Sequence, residues 1–134
     1  TLVGVSLYYG FWLLPVLTSC GVFYGGWLRY LCNGTQHAGL QDDVPDFRLC
    51  TRTVLLNPLV RFLYWHMNFH IEHHMYAAVP CYNLGKLHEA IRGDSPKPPR
   101  GLIAAWRGII AIVKKQQVDP AYKFIPELPE PATS

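Results

Sequence analysis

Residues 2–31 read LVGVSLYYGFWLLPVLTSCGVFYGGWLRYL, and Arg29 is the first charged side chain in the sequence. About 20 apolar residues suffice for a helix to cross the hydrocarbon of a bilayer. This stretch meets that length with some to spare and predicts a membrane span. A secretory signal would open with a basic segment and carry a shorter apolar run, and a buried core helix this long needs a larger protein around it. Gly4, Gly10 and Pro15 leave two arrangements open: one tilted helix, or the end of one helix followed by a second from about Leu13 to Leu31. Tyr8, Tyr9, Trp12, Tyr24, Trp27 and Tyr30 suit interfacial anchoring. The basic residues that follow (Arg29, Arg48, Arg52, Arg61) predict a cytoplasmic position for everything downstream.

Half of the 134 residues are hydrophobic and 16% are charged, below the usual quarter for a soluble globular chain. The net charge of +3 is modest, and no basic stripe of the kind that binds nucleic acid is present. Cys20, Cys32, Cys50 and Cys81 are scattered without a C-x-x-C pair, which predicts free thiols in a reducing compartment rather than a disulfide framework or zinc ribbon. Asn33-Gly34-Thr35 matches a glycosylation sequon, read as a chance occurrence on the cytoplasmic side.

The chemistry concentrates in His70-Ile71-Glu72-His73-His74. Imidazoles at i, i+3 and i+4 share one face of a helix, because each residue turns the helix by about 100°. Three adjacent rings leave many polar groups to satisfy, and a metal satisfies them together. Asn57-Pro58 starts a helix, with Asn as N-cap and Pro at the first position. That helix is expected to run through the box to about Ala78, before Pro80. It would place His66 on the imidazole face, with Asn68 and Glu72 opposite. Upstream, His37 lies in the polar turn after the apolar stretch. No cysteine neighbours the box, which argues against Cys-rich structural zinc. Spacing alone leaves iron and zinc both open, while an all-histidine environment near lipid suits a redox metal better.

Farther along, Tyr82–Ile91 predicts a short helix with Asn83 as its cap. Residues 93–101 read as a stiff proline-rich linker and 118–134 as an extended or disordered tail. Between them, 102–117 read as an amphipathic helix through Leu102, Ile103, Trp106, Ile109, Ile110 and Val113, expected to pack on the rest of the protein, with the membrane surface as the alternative.

Several runs together carry a resemblance: Thr35-Gln36-His37-Ala38-Gly39-Leu40, Arg52-Thr53-Val54, Asn57-Pro58, Arg61-Phe62-Leu63-Tyr64-Trp65, the histidine box with Met75, Val79-Pro80, Leu84 and Leu87-His88-Glu89. They resemble the C-terminal part of the membrane fatty acid desaturase superfamily, most of all the branch with bacterial-type fatty acid desaturases and related hydrocarbon oxygenases. The resemblance implies an all-α integral membrane protein. One or two transmembrane helices would be followed by a cytoplasmic helical cap carrying the box, with residues 1–92 as the desaturase part and 35–80 as its metal-site region. It implies a di-iron enzyme that uses dioxygen and two electrons, supplied by a cytochrome b5 or ferredoxin type of donor. Such an enzyme introduces a double bond into an acyl chain of a lipid substrate; a hydroxylase or alkane-type monooxygenase on the same scaffold is the alternative. The implied metal ligands are His37, His70, His73 and His74, in a protein of the endoplasmic reticulum or bacterial inner membrane.

Two departures accompany the resemblance. The family's upstream histidine boxes are absent, so the chain reads as a C-terminal piece, and four histidines cannot hold two irons in the family's manner. A non-catalytic remnant therefore stays in view, whereas a soluble zinc protein conflicts with the apolar first third. His66 stands where relatives commonly carry Asn, as a donor behind the ligands or as a benign replacement. His88 reads as structural or surface, and Glu72 as the partner of an Arg or another helix. Tyr64, Trp65, Phe69, Tyr76 and Tyr82 suit an acyl tunnel or plain core packing equally well.

Overall fold

A computed structural model describes residues 2–129. Its described elements are helical: α1 (Leu2–Tyr8), α2 (Leu13–Ser19), α3 (Gly21–His37), α4 (Phe47–Cys50), α5 (Pro58–Leu63), α6 (His70–Met75), α7 (Leu84–Ile91) and α8 (Leu102–Val118), with a 3-10 turn at Cys81–Asn83. The chain divides between Leu31 and Cys32 into two compact units.

In the first unit the expected continuous span is broken twice. Gly10, at φ +73°, ends α1 in a left-handed C-terminal turn where the N–H of Phe11 reaches back to the carbonyl of Ser6 at 2.7 Å. Glycine fits there because it lacks the Cβ that makes this conformation costly. Pro15 then sits in the first turn of α2, where its missing N–H does no harm. A second break at Cys20 separates α2 from α3, so neither a single helix nor one from Leu13 to Leu31 forms. Among the described residues no helix is long and apolar enough to cross a membrane. Large apolar side chains nevertheless stand exposed along the unit, among them Leu7, Phe11, Trp12, Leu17 and Phe23.

The second unit holds a small core around Val54, Phe69, Ile71 and Leu84. α8 buries Ala105, Ile109 and Ile112 at i, i+4 and i+7, the spacing of one helix stripe. The last turns of α3 accept α8 closely: a Cβ at Gly34 would lie 3.0 Å from the Trp106 ring.

Asp46 caps α4 through the N–H of Arg48, and Arg48 also reaches both the carbonyl and the carboxylate of Asp94. The guanidinium of Arg48 holds the Asp46 carboxyl below the usual carboxylate range. The following segment, Thr51–Leu55, is extended. It exchanges hydrogen bonds with Asn68, from Val54 N–H to the Asn68 carbonyl and from Asn68 Nδ2 to the Val54 carbonyl. The proline-rich stretch is tied to the same segment. Leu55 N–H donates to the Pro99 carbonyl and Gly101 N–H to the Leu55 carbonyl, which makes an isolated parallel bridge.

The helix expected from Pro58 to Ala78 is two helices with a sharp turn between them. Asn57 caps α5 through the N–H of Val60, with Pro58 at the start. α5 then ends at Leu63: Trp65 N–H donates to Phe62 O and His66 N–H to Arg61 O, the two bonds of a Schellman turn. Trp65 and His66 both take left-handed φ values, 53° and 57°. His66 therefore does not sit one helical turn before His70. Asn83 makes no side-chain capping bond to α7, contrary to the sequence expectation. Past α8, Asp119 receives the N–H of Ala121 on its carboxylate, and 123–129 continue without regular structure. Phe124 to Pro129 line one wall of a cleft of about 910 Å³. Residues 130–134 of the predicted tail lie outside the described residues.

Candidate metal centre

Three imidazoles meet where the end of α3 faces α6. His37 Nε2 lies 2.9 Å from His70 Nε2, and His74 Nε2 lies 3.1 Å from the same atom. The nitrogens that His37, His70 and His74 could offer a metal fall within 4.8 Å of one another. His70 and His74 come from one face of α6, four residues apart, while His37 is the last residue of α3.

Proton bookkeeping at these nitrogens favours a cation among them. His37 Nδ1 stands 3.1 Å from the carbonyl oxygen of Cys50. A carbonyl only accepts, so Nδ1 carries the proton and Nε2 offers a lone pair toward the site. His70 can place a single N–H on its Nε2, yet two neighbouring nitrogens converge on that atom. One of them is left facing its own kind. A metal ion is the one occupant that takes three lone pairs at once. Burial, reinforced by the imidazoles of His74, His37 and His73, pushes His70 down to about 3. His74 is lowered by burial and by His37 and His73. Both rings are thus neutral at ordinary pH, the form in which an imidazole can ligate.

The fourth expected ligand, His73, is not within that triad. Its ring centroid lies 6.0 Å from His70 and 5.8 Å from His74. His66 does not join the cluster. Its Nδ1 is buried without a hydrogen-bond partner. His88 is buried on α7 and pairs with Glu72 at 2.5 Å, away from the triad.

The sequence gives little warning of what holds the triad in place. The segment Cys50–Val54 touches both helices that carry the triad. Cys50 orients His37 through its carbonyl. Arg52 donates from Nη1 to the carbonyls of Thr35 at 2.7 Å and Ala38 at 3.3 Å, closing the end of α3. Thr53 binds α6, and Val54 fixes Asn68 just before it. Gln36 Nε2 adds a bond to the Met67 carbonyl at 2.6 Å. Gln36, Arg52, Thr53 and Val54 stood beforehand in the runs that carry the resemblance, but without these roles.

Arg52→Met should cost about 1–3 kcal/mol, the usual worth of hydrogen bonds from a charged donor. Urea denaturation would show it as a lower midpoint at unchanged slope, and Arg52→Lys should recover part of the loss, since a point charge lacks the fork. An unchanged midpoint would mean that Arg52 does not secure α3.

Comparison with known proteins adds the deciding observation: the fatty acid desaturase family model matches residues 1–106, most of the chain. The chain belongs to the fatty acid desaturase family. No curated protein and no solved structure matches it. Membership makes a desaturase-type oxidoreductase of lipid metabolism the general assignment, and the histidine triad is compatible with the iron that this family typically binds.

Proposed function

We propose that this desaturase-family chain supplies one part of an iron centre at a membrane face. His37, His70 and His74 would hold one metal ion, and His73 stands ready for a second. The convergence of three Nε2 atoms carries this reading. Metal–nitrogen bonds of about 2.1 Å give nitrogen–nitrogen edges of roughly 3.0 Å at an octahedral corner and roughly 3.4 Å at a tetrahedral one. The separations of 2.9 and 3.1 Å are short enough for one ion to engage the nitrogens and do not by themselves choose the metal; family membership is what favours iron.

When bound, such iron supplies dioxygen-dependent removal of hydrogen from an unactivated C–H bond of an acyl chain, using two electrons from a cytochrome b5 or ferredoxin type of donor. The residues of this chain have simpler tasks. Cys50 O keeps His37 in the tautomer that ligates. Burial keeps His70 neutral, and Arg52 holds the end of α3 where His37 can reach α6. The exposed apolar side chains of α1, α2 and the start of α3 support contact with a lipid bilayer, which would also present the acyl substrate. Ligands to complete a pair of irons would come from histidine boxes not found among these 134 residues.

Mass spectrometry of lipids from cells expressing the chain together with a polypeptide carrying the missing boxes tests the assignment. Loss of two hydrogens from an acyl chain is the expected product. Gain of one oxygen would instead make the pair a hydroxylase, and no change in any lipid would refute the oxidative role.

A further inference from the structure

Glu72 lies inside the histidine box but on the far side of α6 from the triad. At about 100° per residue it is turned roughly 200° from His70, while His74 is turned only about 40°. Its side chain is fully buried, and both oxygens are engaged. Oε2 accepts from Thr53 Oγ1 at 2.5 Å, and Oε1 accepts from His88 Nδ1 at 2.5 Å. Thr53 Oγ1 in turn accepts the N–H of Ile71 at 3.2 Å. That N–H belongs to the first turn of α6, which has no partner within the helix, and the preceding Phe69 offers no side-chain cap. Phe69 instead lies against the His88 ring, with centroids 5.2 Å apart.

α6 has six residues, fewer than two turns, so its rotation about its own axis must be set from outside. We propose that Glu72 is a positioning residue: held by Thr53 from the extended segment and by His88 from α7, it fixes the rotation of α6 and so aims His70 and His74 at His37. The inference rests on the metal site proposed above. Thr53 couples the two sides of the site, because the segment that grips Glu72 also holds His37 through Cys50 and Arg52. His88, which lies outside the histidine box, thereby gains a role in metal binding without touching the metal.

Cobalt(II) titration of the full chain in detergent, followed by the visible d–d band, tests this with paired variants. Thr53→Val and His88→Leu remove the hydrogen-bonding atoms at similar volume, whereas Thr53→Ser and His88→Asn keep a hydroxyl and a nitrogen donor near the original places. The Val and Leu variants should bind cobalt about tenfold or more weakly, with a shifted band and helical ellipticity retained. The Ser and Asn variants should return to within about twofold. Wild-type affinity and band in both Thr53→Val and His88→Leu would overturn the proposal, as would Ser and Asn variants no better than Val and Leu. Should either position fail to fold when changed, the pair at the other decides. Failure of the metal site itself looks different: the unaltered chain binds no cobalt, or His70→Ala binds it as tightly.

Discussion

His70→Ala is expected to weaken metal binding by the chain more than about a hundredfold, beyond the 10–100-fold typical of groups that only support a ligand. His70 Nε2 is the atom shared by both short contacts of the triad, 2.9 Å to His37 and 3.1 Å to His74. Without it the two remaining nitrogens lack their common neighbour, and a two-imidazole site is left half open to water. His73→Ala, by contrast, removes a ring that has no nitrogen in the cluster of three, and should cost a single ion tenfold or less. Isothermal titration with cobalt(II) separates the two. Equal losses at His70 and His73 would mean that the triad is not the binding unit.

The largest effect on stability is expected at Gly39. This residue has φ +75°, and a Cβ there would approach Ile112 Cγ2 to 2.9 Å. The left-handed backbone costs an alanine about 1–2 kcal/mol, and overpacking against a buried side chain typically adds about 1–3 kcal/mol. The lower entropy of the unfolded alanine chain offsets up to about 1 kcal/mol of that. Gly39→Ala should therefore lose about 2–4 kcal/mol and drop the thermal midpoint by roughly 10 °C. Gly108→Ala is the matched control. It lies within α8 with nothing within 4 Å of its would-be Cβ, and the change should be neutral or stabilising by up to about 1 kcal/mol. Calorimetry showing similar midpoints for the two variants would refute the packing of α8 against the turn after α3.

Local signals predicted much of this molecule. Asn57-Pro58 announced the start of α5, and the spacing of Leu102, Ile103, Trp106, Ile109, Ile110 and Val113 announced α8. The stripe that α8 buries is nevertheless Ala105, Ile109 and Ile112, with Ile103, Ile110 and Val113 exposed. Imidazoles at 70 and 74 on one helix face, with His37 supplied from upstream, followed from helical periodicity and from the family's pattern. What stayed hidden depends on contacts distant in sequence. Nothing local reports that the carbonyl of Cys50 meets His37, or that Thr53 meets Glu72 across 19 positions. The length and lack of charge of residues 2–31 promised a span, but the turns at Gly10 and Cys20 divide it. Composition counts apolar residues and does not see a single left-handed backbone. The same blindness joined α5 to α6, because Trp65 and His66 are ordinary helix residues by propensity and take αL only in this context.

That last junction leaves the protein with two competing secondary structures over 58–75. A straight rod through Trp65 and His66 would relieve roughly 1–2 kcal/mol of backbone strain at each residue. Against it stand the bonds between Val54 and Asn68 and the grip of Thr53 on α6. Trifluoroethanol enriches helix beyond native content while loosening tertiary order. Dilute trifluoroethanol should therefore raise the ellipticity of this chain as it releases bound cobalt, so that gain of helix and loss of ligand proceed together.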